Sequence, residues 1–125
     1  MRRRSLVMLL CSLVLSAPWP HVAWGHAFPQ RAEPRVGATV NVAPGHMRIW
    51  FDATLEPVFS TLRVQDASGR RVDRGDAHVA DSDPTLLEVS LLPLAPGTYH
   101  VVWSVVARDG HRTDGDFTFT IAPGG

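Results

Sequence analysis

Two short stretches of this chain, His26 and Asp109-Gly110-His111, hold the residue types best suited to gripping a metal ion. A histidine at a free N-terminus offers two nitrogens to one ion, its α-amine and its own Nδ1. The amine titrates near pH ~8, so a metal can displace its proton at neutral pH. Chelation through a single residue also avoids the entropy of bringing two residues together. In extended chain the side chains at i and i+2 point the same way, so Asp109 and His111 could face one ion while Gly110 keeps the backbone clear. Each signal is weak alone. Asp-Gly is a favoured hairpin turn pair, and a histidine near a processed terminus can be incidental. Together they complement each other: amine, two imidazoles and a carboxylate form a nitrogen-rich set suited to Cu(II) in tetragonal geometry.

The remaining candidates offer less. His46 follows Pro44-Gly45 at a strand entry and reads as surface, His78 lies in a polar segment, and His100 faces away from the Tyr99–Trp103 side. Met47 falls on an apolar face and reads as core; soft thioether sites for Cu(I) use methionine clusters, and none is present. Asp81 and Asp83 bracket Ser82 ahead of Pro84, the pattern of a solvated turn. The serines lie in no nucleophile elbow and no glycine-rich phosphate loop occurs, so the chain reads as a binding protein and not an enzyme.

The elements that would position these residues are strands. Met47, Ile49 and Phe51 share one face, as do Leu62 with Val64, Leu87 with Val89 and Leu91, and Phe117 with Phe119 and Ile121. Period-two alternation of this kind marks half-buried strands. Tyr99, Val101, Trp103 and Val105 alternate too, but Val102 and Val106 make that run apolar on both faces, which places it centrally in a sheet. Prolines at 29, 34, 44, 57, 84, 93 and 96 break up the helical options. Asp66-Ala67-Ser68-Gly69 reads as a turn. The class is all-β, a sandwich or small barrel of about seven strands.

The first 25 residues have a different texture. Arg2, Arg3 and Arg4 precede an apolar run, Leu6 to Ala17, and Ala23-Trp24-Gly25 supplies small residues at the positions a signal peptidase checks. The run is shorter than the roughly 20 residues of a membrane span. The expectation is a cleaved secretory signal at 1–25 and one domain at 26–125, with cleavage after Ala17 as the competing choice. The single cysteine, Cys11, lies inside this segment with leucine before it, which argues against a lipid anchor. The domain would then lack cysteine, which excludes disulfides and thiolate metal sites. From His26 onward nine arginines face twelve acidic residues, a net charge of −3. No basic stripe suits nucleic acid.

In order and spacing, these landmarks resemble the CopC family of exported copper-binding proteins over nearly the whole of 26–125. The matching residues are His26-Ala27, Glu33-Pro34, Ile49-Trp50-Phe51, Leu55-Glu56-Pro57 and Gly69-Arg70-Arg71-Val72. Further along come Pro96-Gly97-Thr98-Tyr99, Val102-Trp103-Ser104-Val105, Asp109-Gly110-His111, Gly115 and Phe117-Thr118-Phe119. The resemblance implies a Greek-key, immunoglobulin-like β-sandwich and a Cu(II) site of the histidine-brace kind. His26 would give its amine and Nδ1, His111 an imidazole and Asp109 a carboxylate. It also implies a periplasmic role in copper homeostasis, resistance or transport, with a membrane copper transporter of the CopD type as partner. Some family members carry a second, methionine-rich Cu(I) site; this chain lacks those methionines and looks like the Cu(II)-only version. Ala107-Arg108 stands where small polar residues are commoner, which puts a cation beside the expected site. Two other readings compete: a copper-dependent oxidative enzyme, and an immunoglobulin-like interaction module without a specific metal site.

Overall fold

The computed structural model describes residues 26–124. The expected signal segment, with Cys11, lies outside the described residues. Eight strands form, one more than the sequence suggests: β1 (Pro29–Glu33), β2 (Thr39–Val40), β3 (His46–Phe51), β4 (Thr61–Gln65), β5 (His78–Val79), β6 (Leu86–Ser90), β7 (Gly97–Val106) and β8 (Arg112–Ile121). Five of them, β3, β4, β6, β7 and β8, are the runs whose alternation the sequence shows; β2 and β5, each two residues long, are too short for such a pattern to register. A 3-10 turn at Pro57–Phe59 is the sole helical element among the described residues.

The strands make two four-stranded sheets, ordered β1-β3-β6-β5 and β2-β8-β7-β4. Pairing is antiparallel except between β2 and β8. As its two-sided apolar character suggests, β7 is central, paired with β4 on one side and with the whole length of β8 on the other. The inward faces meet as one core that includes Met47, Ile49, Phe51, Leu87 and Val89 from one sheet and Leu62, Val64, Val101, Val105 and Phe119 from the other. Burying each such side chain contributes about 1.5–3 kcal/mol, so the alternation in the sequence also fixes which face of every strand turns inward. Tyr99 stacks on Phe119 and donates its hydroxyl to Ala95 O at 2.6 Å, anchoring the start of β7.

Two features hold the β7–β8 hairpin in shape. Gly115 faces Trp103 across the ladder, and a Cβ at Gly115 would overlap the indole ring. Trp103 can therefore lie flat over the strand and meet Phe51 of the other sheet edge-on, with centroids 5.2 Å apart. At the hairpin tip, residues 107–111 reverse the chain. Ala107 and His111 close the loop (Ala107 N–H to His111 O, 3.0 Å), and Gly110 takes φ 90°, a conformation open to glycine and costly for other residues.

Candidate metal centre

The hairpin tip and the segment leading into β1 meet at one end of the sandwich. The rings of His26 and His111 touch edge-on, with centroids 5.3 Å apart and planes at 73°. Phe28 flanks His26 with its ring 6.2 Å away. Asp109 Oδ1 lies 3.2 Å from His111 Nδ1, and the same oxygen accepts the His111 N–H at 3.0 Å. This last bond corrects one step of the sequence argument. Asp109 and His111 are not brought together by extended-chain parity, because Gly110 turns the backbone between them. They meet through an Asx-type turn, in which a carboxylate captures the N–H two residues on. The turn and ligand readings of Asp-Gly-His are thus compatible.

The electrostatics follow from that geometry. The His111 N–H holds the Asp109 carboxyl below its ordinary range, aided by the imidazoles of His111 and His26 and opposed by desolvation. Asp109 is therefore anionic at neutral pH. His111 Nδ1 is shielded from solvent against this carboxylate.

Other candidates lie elsewhere. His46 is exposed at the entry to β3, and Met47 is fully buried in the core. His78 bonds Asp76 O through Nδ1 (2.9 Å) and meets Glu88 through Nε2 (3.1 Å). His100 pairs with Asp116 at 2.6 Å on the outer face of β7 and β8. Arg108 is exposed, and its N–H donates to Thr54 O. Among the described residues, no group of three or more His, Cys, Asp or Glu side chains is arranged to hold one metal ion as it stands. Two imidazoles and a carboxylate are adjacent; in the uncut chain the nitrogen of His26 is a peptide nitrogen and a poor ligand.

Sequence reasoning missed the residues that hold His26 in place. Ala27 is fully buried, and its carbonyl accepts a 2.6 Å hydrogen bond from Thr113 Oγ1. Phe28 N–H donates to Asp52 Oδ1 (2.8 Å), and Asp52 N–H returns a bond to Phe28 O (2.9 Å). A signal for the first was available: Thr113 is in phase with the inward-facing Phe117 and Phe119, and a polar residue at such a position needs a partner.

Comparison with known proteins now decides the family. The CopC domain model matches residues 30–122. This chain belongs to the CopC family. It is 32% identical to protein YobA of Escherichia coli K12 over 95% of this chain and 93% of that protein. The crystal structure of CopC from Methylosinus trichosporium OB3b superposes with a TM-score of 0.73 at 31% identity, covering 78% of this chain and 95% of that one. PcoC, a methionine-rich copper resistance protein from Escherichia coli, gives a TM-score of 0.67 at 29% identity, over 78% of this chain and 99% of that one. The copper transport protein CutJ of Bacillus subtilis is 28% identical over 96% of this chain, which spans 22% of CutJ's length. The all-β, two-sheet architecture and a connection to copper are therefore properties of this chain's family.

Proposed function

We propose that this protein is an exported copper carrier that binds one Cu(II) at the His26–His111 end of the sandwich. The ligands are the α-amine and Nδ1 of His26, an imidazole nitrogen of His111 and the carboxylate of Asp109. The observation that carries this reading is the contact between the two imidazoles, 5.3 Å apart, beside a carboxylate held in its charged form. Metal–nitrogen bonds are roughly 2 Å long, so small rotations of the rings bring both to one ion. The amine supplies the donor that the side chains lack. It comes into being when signal peptidase cuts after Gly25, at the end of the segment with a charged start, an apolar stretch and small residues at 23 and 25. Export and copper competence are then coupled, because the cut that follows export frees the amine.

Nitrogen and oxygen donors favour Cu(II) over Cu(I). The family's methionine-rich members offer thioethers, whereas Met47 here is sealed in the core. Binding and release proceed by ligand exchange, without turnover. That a related domain forms 22% of a longer copper transport protein supports a membrane copper transporter of the CopD type as the recipient. The test is a competition titration of residues 26–125 with Cu(II). One tightly held ion is expected, with roughly a hundredfold or greater loss in His111→Ala. Equal affinity of the two proteins would refute the site.

A further inference from the structure

The polar groups around Ala27 and Phe28 have a purpose that the metal ligands alone do not explain. A chain end is ordinarily poorly ordered unless tied down. Here the first two residues after His26 are tied by three hydrogen bonds, and the ties come from both sheets. Thr113 on β8 holds Ala27 O at 2.6 Å. Asp52, the residue after β3, exchanges two bonds with Phe28, through its Oδ1 to Phe28 N–H and through its own N–H to Phe28 O. This prolongs the β1–β3 ladder past its last registered pair, Pro29 with Phe51. The Ala27 methyl is fully buried in the core cluster, which fixes the chain between the two anchors. Thr113 is also two residues from His111, so one short stretch of chain carries a proposed ligand and locates the residue that carries two others.

We infer that Thr113 and Asp52 are positioning residues, which preorganise the N-terminal residue for copper by clamping the chain one and two residues behind it. The inference rests on the proposed Cu(II) site. An unclamped His26 would have to be ordered by the metal itself, at a cost in affinity. Supporting groups of this kind typically change metal affinity about 10–100-fold.

The experiment compares Cu(II) affinity and dissociation rate in the 26–125 protein and in Thr113→Val, Thr113→Ser, Asp52→Ala and Asp52→Asn. Each is also made with one additional residue ahead of His26. Thr113→Val keeps the side-chain shape but removes the hydroxyl; Asp52→Ala changes an exposed residue, so its fold does not depend on core packing. We expect about tenfold weaker binding and faster release in Thr113→Val and Asp52→Ala, with recovery in Thr113→Ser and Asp52→Asn. No change is expected in the extended proteins, whose residual binding does not use the amine. A merely structural role would lower thermal stability without this dependence on the N-terminus. If the parent binds tightly and Thr113→Val and Asp52→Ala bind equally tightly, the clamp is refuted and the site stands. If the parent binds no better than its extended form, the site fails, and the clamp with it.

Discussion

Two histidine–carboxylate pairs in this molecule have nearly the same separation but different surroundings. His111 and Asp109 lie 3.2 Å apart at the hairpin tip, and His78 and Glu88 lie 3.1 Å apart on the outer face of the first sheet. The second pair is closed in on itself. Glu88 also holds Arg48 at 3.1 Å, and the other nitrogen of His78 is occupied by Asp76 O. In the register of the strands, Glu88 lies between Arg48 and His78 as one cross-strand ladder. The first pair instead has a second imidazole, that of His26, 5.3 Å away. A short His–carboxylate distance therefore says little about metal binding. What distinguishes the hairpin tip is the second imidazole packed against the pair.

The largest predicted effect sets the two regions against each other directly. In residues 26–125, His26→Ala should weaken Cu(II) binding roughly a hundredfold or more, whereas His78→Ala and His100→Ala should leave it unchanged; calorimetric competition reads all three. Asp109→Asn should come next, with about tenfold weaker copper binding, because it removes the charge but keeps the shape of the turn. Copper loss in His78→Ala as large as in His26→Ala would erase the contrast. For the scaffold beneath the tip, Gly115→Ala forces a methyl against Trp103 and should cost about 1–3 kcal/mol. That is seen as a fall in Tm of about 4–8 °C per kcal/mol for a domain of this size.

The smallest effect concerns pH at the closed pair. The Asp76 carbonyl, and then Glu88, raise the pKa of His78 above its ordinary 6.5, against desolvation. Because the folded state favours the protonated ring, its contribution to stability is fully present below pH 6.5. That contribution disappears as pH rises through the elevated folded value. An NMR titration should place the His78 midpoint above 6.5, and Glu88→Gln should lower it only in part, since the Asp76 carbonyl remains.

The sequence made the strands legible because their faces differ: Met47, Ile49 and Phe51 could only be one inward face, and Tyr99 to Val106 only a central strand. It made His26, Asp109 and His111 visible because their donor types complement one another. The short strands β2 and β5 were not legible, since two residues carry no period. Nor was the fixing of Ala27 and Phe28, which depends on contacts between residues far apart in sequence, Thr113 with Ala27 and Asp52 with Phe28. His78 read as part of a polar segment for the same reason, since its partner Glu88 lies on the neighbouring strand.

The most direct test of the central claim is an EPR-monitored Cu(II) titration of two proteins that differ by one residue. One begins at His26 and the other has a single alanine ahead of it. The account predicts that the first binds one ion tightly with a nitrogen-rich tetragonal spectrum, and that both the affinity and the spectrum are lost in the second. Identical affinity and spectra in the two proteins would contradict it, because the donor created by cleavage would then have no part in holding copper.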